Sequence, residues 1–229
     1  MSMSKKILMV VTSSERIIST NQLTGVWLEE FALPYLQFQT NGYEVTVASP
    51  KGGKTPIDPR SEPPEEQAQE WAQARAALNN TLNLDTVKAA DYAAIFMPGG
   101  HGTMFDLPGN PGLQQLLRDF AEQDKILAAV CHGPAGLVGA TLSDGRPIVA
   151  GKTITAFTDS EERAAGMDKD MPFLLETSLT ELGANFVRQP DWTSHVERDG
   201  KLITGQNPQS SARVAQAVIE ALASVVELA

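Results

Sequence analysis

The chain holds one cysteine, Cys131, and three histidines, His101, His132 and His195. Cys131 interrupts the stretch ILAAVCHGPAG at residues 126–136: apolar residues run up to it and His132-Gly133-Pro134 follows at once. In a parallel α/β sheet, functional groups collect where strands end and helices begin. A nucleophile on a tight turn there stands at the end of its strand, and a glycine two residues later lets the next helix pack closely. The stretch therefore reads as a strand–Cys–His–Gly nucleophile elbow. It departs from the G-x-C-x-G form by carrying Ala129, itself small, at the first glycine position. A helix N-terminus after the turn would favour the thiolate, so a lowered thiol pKa is expected. The rival reading is a buried, inert cysteine acting as a small hydrophobe.

His132 can relay a proton or supply a cation beside that thiol. His101 sits in a second strand-end loop, PGGHG, whose glycines can turn backbone N–H groups toward an oxyanion. His195 lies in a polar loop and reads as solvated. A single cysteine excludes an intramolecular disulfide and a cysteine-rich zinc site. Only His132 adjoins the thiol in sequence, so no metal site is expected.

Strands alternating with helices must position these groups. Lys6–Val11, Glu44–Ala48, Ala93–Met97 and Ile126–Val130 read as buried parallel strands. Asn185–Arg188 and Lys201–Thr204 read as two more. Thr24 is a candidate cap for a helix running to Asn41-Gly42, with a kink or break expected near Leu33 because of Pro34. Polar, Ala-rich EEQAQEWAQARAAL, residues 111–123 and residues near 171–182 read as helices. Residues 145–157 look like an irregular hairpin turning at Gly151. Asn207 and Pro208 open the final helix, whose stripe is Val214, Val218, Leu222 and Val225. The alternation predicts an α/β sandwich with a mostly parallel sheet. Residues 50–90 exceed what a crossover needs, which marks an insertion in an otherwise single domain, either a solvated connector or a lid.

The chain has 229 residues, 42% of them apolar, enough for a full core. Its net charge of -10 repels nucleic acid and anionic membranes, since no cationic cluster exceeds Lys5-Lys6. The N-terminal stretch is short for a signal peptide, and no run approaches the ~18 apolar residues of a membrane span. A lone thiol is safest in a reducing compartment, so a soluble cytoplasmic protein is expected.

Five stretches in order, TGVWLEEFALPY, FMPGGHGTMFDL, AAVCHGPAGL, GKTITAFTDSEE and TGQNPQS, resemble the ThiJ/PfpI superfamily. Within it the chain is similar to the glutathione-independent, heat-shock-protein-31-like glyoxalase III branch. The resemblance implies a flavodoxin-like, class I glutamine amidotransferase-like fold, a homodimer, a Cys–His–acid set and no metal or organic cofactor. It places the nucleophile at Cys131, its histidine at His132, a buried carboxyl partner of the thiol at Glu30, and the third acid at Glu162. Oxyanion or substrate contacts fall near Gly100 and His101. Helical periodicity does not choose between Glu29 and Glu30, and Glu161 competes with Glu162. By residue type alone each glutamate reads as surface charge.

The activity so implied converts methylglyoxal, or a similar small 2-oxoaldehyde, to a 2-hydroxy acid such as lactate, with protein repair or chaperone activity as possible companions. The same elbow would serve a cysteine amidase, peptidase or esterase. A stress-response holdase would need an exposed apolar patch. A redox sensor would oxidise Cys131 to a sulfinate.

Overall fold

The structure, a computed structural model, describes residues 5–227. Seven strands form the main sheet: β1 (Lys6–Val10), β2 (Glu44–Ser49), β3 (Leu82–Asn83), β4 (Ala94–Met97), β5 (Ile126–Val130), and, after the pair named below, β8 (Val196–Asp199) and β9 (Leu202–Gly205). Their order across the sheet is β3-β2-β1-β4-β5-β9-β8. All neighbours are parallel except β8, which pairs antiparallel with β9 at one edge. This is the flavodoxin-like, mostly parallel α/β arrangement that the alternation of elements predicts.

Side chains along each central strand alternate between two cores. Ile7 and Met9 of β1 enter one apolar cluster, while Leu8 and Val10 enter the other. On the first face lie α1 (Leu28–Thr40), through Phe31 and Phe38, and α8 (Ser211–Glu227), through Val214, Val218 and Leu222. The side chain of Val225 falls outside the described residues. On the second face lies α5 (Pro111–Glu122), with Leu113, Leu116, Leu117 and Phe120 turned inward. Burial on both faces explains why β5 reads ILAAV with no polar alternation.

Several elements differ from expectation. The α1 helix runs unbroken through Pro34. One lost backbone bond is outweighed by the burial of Phe31, Ala32, Tyr35 and Phe38 around it. Thr24 does not cap that helix; its hydroxyl donates to Asp58 Oδ2 at 2.9 Å. The polar helical stretch divides at Trp71 into α2 (Glu65–Glu70) and α3 (Ala72–Ala77). Residues 145–157 are not a hairpin. Within them β6 (Thr153–Ile154) pairs in parallel with β7 (Asn185–Phe186). Between these come α6 (Asp159–Ala164) and α7 (Leu175–Glu181), and α4 (Thr103–Asp106) follows the PGGHG loop.

The chain leaves β1 toward β2 on one side and returns across it to β4 on the other. Such a reversal opens a crevice at the carboxyl ends of the strands. The PGGHG loop leaves β4 and Cys131 leaves β5 at that same end.

Candidate active site

Cys131 has φ of +59°, the left-handed region that a non-glycine residue rarely enters. That conformation costs about 1–2 kcal/mol. The surroundings enforce it: the Cys131 N–H donates to Gly205 O, and its carbonyl accepts from Phe157 N, both at 2.9 Å. The chain then passes hard against β4, where a Cβ on Gly133 would lie 2.0 Å from the Met97 carbonyl oxygen. Glycine is therefore required at that position, as the elbow reading predicts.

The thiol lies between two acid–base partners. His132 Nδ1 is 3.3 Å from Cys131 Sγ, and His132 Nε2 is 2.6 Å from Glu162 Oε2. The Phe157 ring packs at a tilt against His132, with centroids 4.4 Å apart. Glu162 projects from α6, a helix that begins with a capping box between Thr158 and Glu161. The spacing Thr158-x-x-Glu161 was the available sequence signal for this helix. The second partner is Glu30, fully buried on α1. Its Oε2 accepts the Gly99 N–H at 2.7 Å, and a Cβ on Gly99 would come within 2.6 Å of that oxygen. The bare backbone of Gly99 is what admits the carboxyl. Glu30 Oε1 makes no hydrogen bond among the described residues, while the carboxyl lies against the thiol of Cys131. Glu29, its neighbour, does not enter this cluster.

Burial dominates the electrostatics. It pushes the Glu30 carboxyl up to about 8, so the group is neutral at pH 7. Burial first, and the Glu30 charge second, also raise the Cys131 thiol well above its ordinary value. This corrects the expectation of a lowered thiol pKa. The turn after Cys131 is a five-residue 3₁₀ segment, Gly133–Leu137, and not an α-helix with a developed dipole. The thiol is also 3% exposed and surrounded by carboxyls. Burial opposes ionisation of Glu162 too, but His132 and His101 outweigh it and hold that carboxyl far below the usual range.

His101 has its ring turned inward. Its Nε2 lies 2.7 Å from Glu162 Oε1, and its Nδ1 lies 2.9 Å from a terminal nitrogen of Arg60. One carboxylate thus holds two histidines, a pairing with no signal in the sequence spacing. Gly100, with φ of +100°, turns the loop so closely that a Cβ would meet Gly25 O at 2.3 Å. No hydrogen bond among the described residues occupies the N–H of Gly100 or of His132. His195 faces Glu197 instead, at 3.0 Å.

His101, His132 and Glu162 bring two nitrogens and a carboxylate oxygen within 4.8 Å of one another, a donor set of the kind that binds divalent ions. Here the donors are hydrogen bonded to each other. A separate cleft of about 720 Å³, lined by Ser13, Thr24, Lys54, Thr55, Ala72 and Arg75 among others, contains none of these groups. The cleft and the cluster around the strained thiol are therefore separate features of the fold.

A parallel sheet that ends in a strained thiol, with a histidine–carboxylate pair on one side and a buried neutral carboxyl on the other, defines a cysteine-centred α/β protein. The chain belongs to the DJ-1/PfpI family, whose sequence model matches residues 21–221. It is 32% identical over 232 residues to glyoxalase 3 of Candida albicans, covering 94% of this chain and 98% of that one. It is 33% identical over 233 residues to a glutathione-independent glyoxalase of Saccharomyces cerevisiae, covering 95% and 98%. The crystal structure of Candida albicans glyoxalase III superposes with a TM-score of 0.87 at 31% identity, covering 94% of this chain and 96% of that one. No helix among the described residues is long and apolar enough to cross a membrane.

Proposed function

We propose that the chain is a glutathione-independent glyoxalase that isomerises and hydrates methylglyoxal, or a similar small 2-oxoaldehyde, to the 2-hydroxy acid. The observation that carries this is the placement of Cys131 between His132 Nδ1, at 3.3 Å, and the buried carboxyl of Glu30. The names of the relatives support the same reading.

His132 Nδ1 takes the thiol proton as sulfur adds to the aldehyde carbon, and it returns that proton to the new oxygen. The product is a hemithioacetal. The free N–H groups of Gly100 and His132 face the developing oxyanion. His132, free again after returning the thiol proton, then carries the proton from the former aldehyde carbon to the neighbouring oxygen, through an enediolate, while the neutral Glu30 carboxyl acts as a hydrogen-bond donor. The aldehyde carbon is oxidised to a thioester while the ketone carbon is reduced to an alcohol, so no external oxidant enters. Water releases lactate and restores the thiol. A thiol suits both halves, since it adds readily to aldehydes and leaves readily from thioesters. We infer a reducing cytoplasm and a homodimer as its setting, the first because the lone thiol must stay reduced.

The test is to incubate the purified protein with methylglyoxal, without glutathione, and to measure lactate. Cys131→Ser should form none. A wild-type protein with an intact thiol that makes no lactate, but cleaves activated esters or amides, would move the reading to a cysteine hydrolase.

A further inference from the structure

We propose that Arg60, a residue of the 50–90 insertion, is a positioning residue that fixes the protons of His101, Glu162 and His132 and so keeps His132 Nδ1 free to receive the thiol proton. The inference deepens the glyoxalase reading and rests on it for the identity of the reaction alone.

The argument starts from donors and acceptors. A guanidinium has only N–H donors. Arg60 lies 2.9 Å from His101 Nδ1, so that nitrogen must accept and the single proton of a neutral His101 must sit on Nε2. Nε2–H then donates to Glu162 Oε1 at 2.7 Å. Glu162 is ionised and can only accept, so its Oε2 takes the Nε2–H of His132 at 2.6 Å. That leaves a lone pair on His132 Nδ1, 3.3 Å from Cys131 Sγ. A fixed cation at one end thus decides every proton position down to the sulfur. Burial above all, with the Arg60 charge adding to it, holds His101 down to about 4 against the pull of Glu162, so it stays neutral at pH 7.

Arg60 is itself held. Its Nε donates to Asp58 Oδ1 at 2.9 Å and a terminal nitrogen to Asp58 Oδ2 at 2.6 Å. Asp58 is fully buried and also accepts from Thr24. The next residue, Ser61, accepts the Leu28 N–H through its Oγ at 3.0 Å, at the first turn of the helix that carries Glu30. The short turn Pro59–Ser61 therefore braces both carboxyls of the site, which gives the insertion a role at the chemistry without any movement.

Without Arg60, His101 can take a second proton. An imidazolium would then stand beside His132, the ring centroids being 4.3 Å apart. The groups facing His101 are Arg60, Glu162 and His132, so removing the arginine removes the one fixed positive charge among them.

The Arg60 side chain is 42% exposed, so Arg60→Met should fold. Because it orphans Asp58, the double variant Asp58→Asn with Arg60→Met serves as the second test. Four readouts decide. Nitrogen-15 histidine NMR of the wild type should show His101 neutral and protonated on Nε2 at pH 7, and this signature should be lost in both variants. Lactate formation should show kcat lower by about tenfold or more with KM little changed, since a wrong tautomer at the histidine next to a nucleophile costs on the order of 10⁴. The acid limb of the pH profile should move up, with partial return in Arg60→Lys. Alkylation of Cys131 by iodoacetamide should show the same displaced pH dependence, and it needs no glyoxalase activity. If the wild type makes no lactate, the NMR and alkylation results still judge Arg60. A wild-type His101 protonated on Nδ1, or variants whose histidine spectrum and pH profiles match the wild type, would overturn the proposal. A uniform loss of rate at every pH would do so too, because it would mean a merely structural role.

Discussion

Glu161 and Glu162 are adjacent on α6 and serve separate networks. Glu161 Oε1 accepts from Trp192 N at 2.8 Å, Asn207 Nδ2 at 2.8 Å and Gln206 Nε2 at 3.2 Å, while its Oε2 accepts from Thr158 N and Oγ1, both at 3.0 Å. Among the described residues the Glu162 side chain is hydrogen bonded to histidines alone. Successive helical residues point about 100° apart, so one turn of helix ties down the loop before β8 and also holds the rings of His101 and His132.

Glu161→Gln and Glu162→Gln should therefore fail in different ways. Glu162→Gln should cut lactate formation by roughly 10²-fold or more while melting near the wild type. Glu161→Gln puts an amide donor among five donors, and should cost about 2 kcal/mol of stability with a smaller loss of kcat. Thermal melts and kcat for the two purified variants check this. Equal activity loss in both, with equal stability, would contradict the division of labour.

The backbone of Cys131 carries a separate prediction. Its φ of +59° suits glycine better than any residue with a Cβ. Cys131→Gly should therefore be more stable than Cys131→Ala by about 1 kcal/mol, although glycine normally destabilises. Both should lack lactate formation. Urea unfolding of the two variants decides, and a less stable glycine variant would mean that the turn stores no strain.

Much of this site is legible in the sequence, for identifiable reasons. The run ILAAV stops at a thiol with glycine two residues on, which marks a buried strand meeting a tight turn. PGGHG marks a second strand end by the same logic. Glu30 is not legible from periodicity, because α1 is apolar nearly all round; only the resemblance of TGVWLEE to a known family selects it. Arg60 carries no local signal, since its partner His101 is 41 residues away. The edge strand β8, with sequence VERD, lacks the apolar pattern of the central strands, being only partly buried. The raised thiol pKa is not legible, because the sequence shows the turn but not how completely Glu30 and the core close over it.

Glu30 gives the stability a pH dependence of definite sign. Its folded value of about 8 lies above the ordinary 4.5. The stability tied to its protonated form is complete below pH 4.5 and is lost as pH rises through 8, because the unfolded chain releases the proton first. Glu30→Gln cannot ionise, and its amide still offers a donor toward the sulfur and an oxygen to Gly99. The variant should gain on the wild type as pH rises from about 4.5 to about 8, the span between the two values, and level off above it. Calorimetric melts over that range test it, and a constant difference would show that Glu30 does not change protonation there.

The thiol should respond to the same carboxyl. Burial and the Glu30 charge both raise it, the charge acting only once Glu30 has lost its proton. Two groups so close lose their protons in two macroscopic steps, the second opposed by the charge left by the first. Thiolate absorbance in the wild type should thus develop above the free-thiol range of about 8.5. In Glu30→Gln the opposing charge is absent, an amide can donate to the sulfur, and the midpoint should fall. The shift must also appear in the pH dependence of iodoacetamide labelling at Cys131, where mass spectrometry separates it from any other modification. A wild-type midpoint below the free-thiol range, or one that rises in Glu30→Gln, would mean that the carboxyl stabilises the thiolate more strongly than burial and charge oppose it. The proton transfer to His132 would then precede substrate binding instead of accompanying attack.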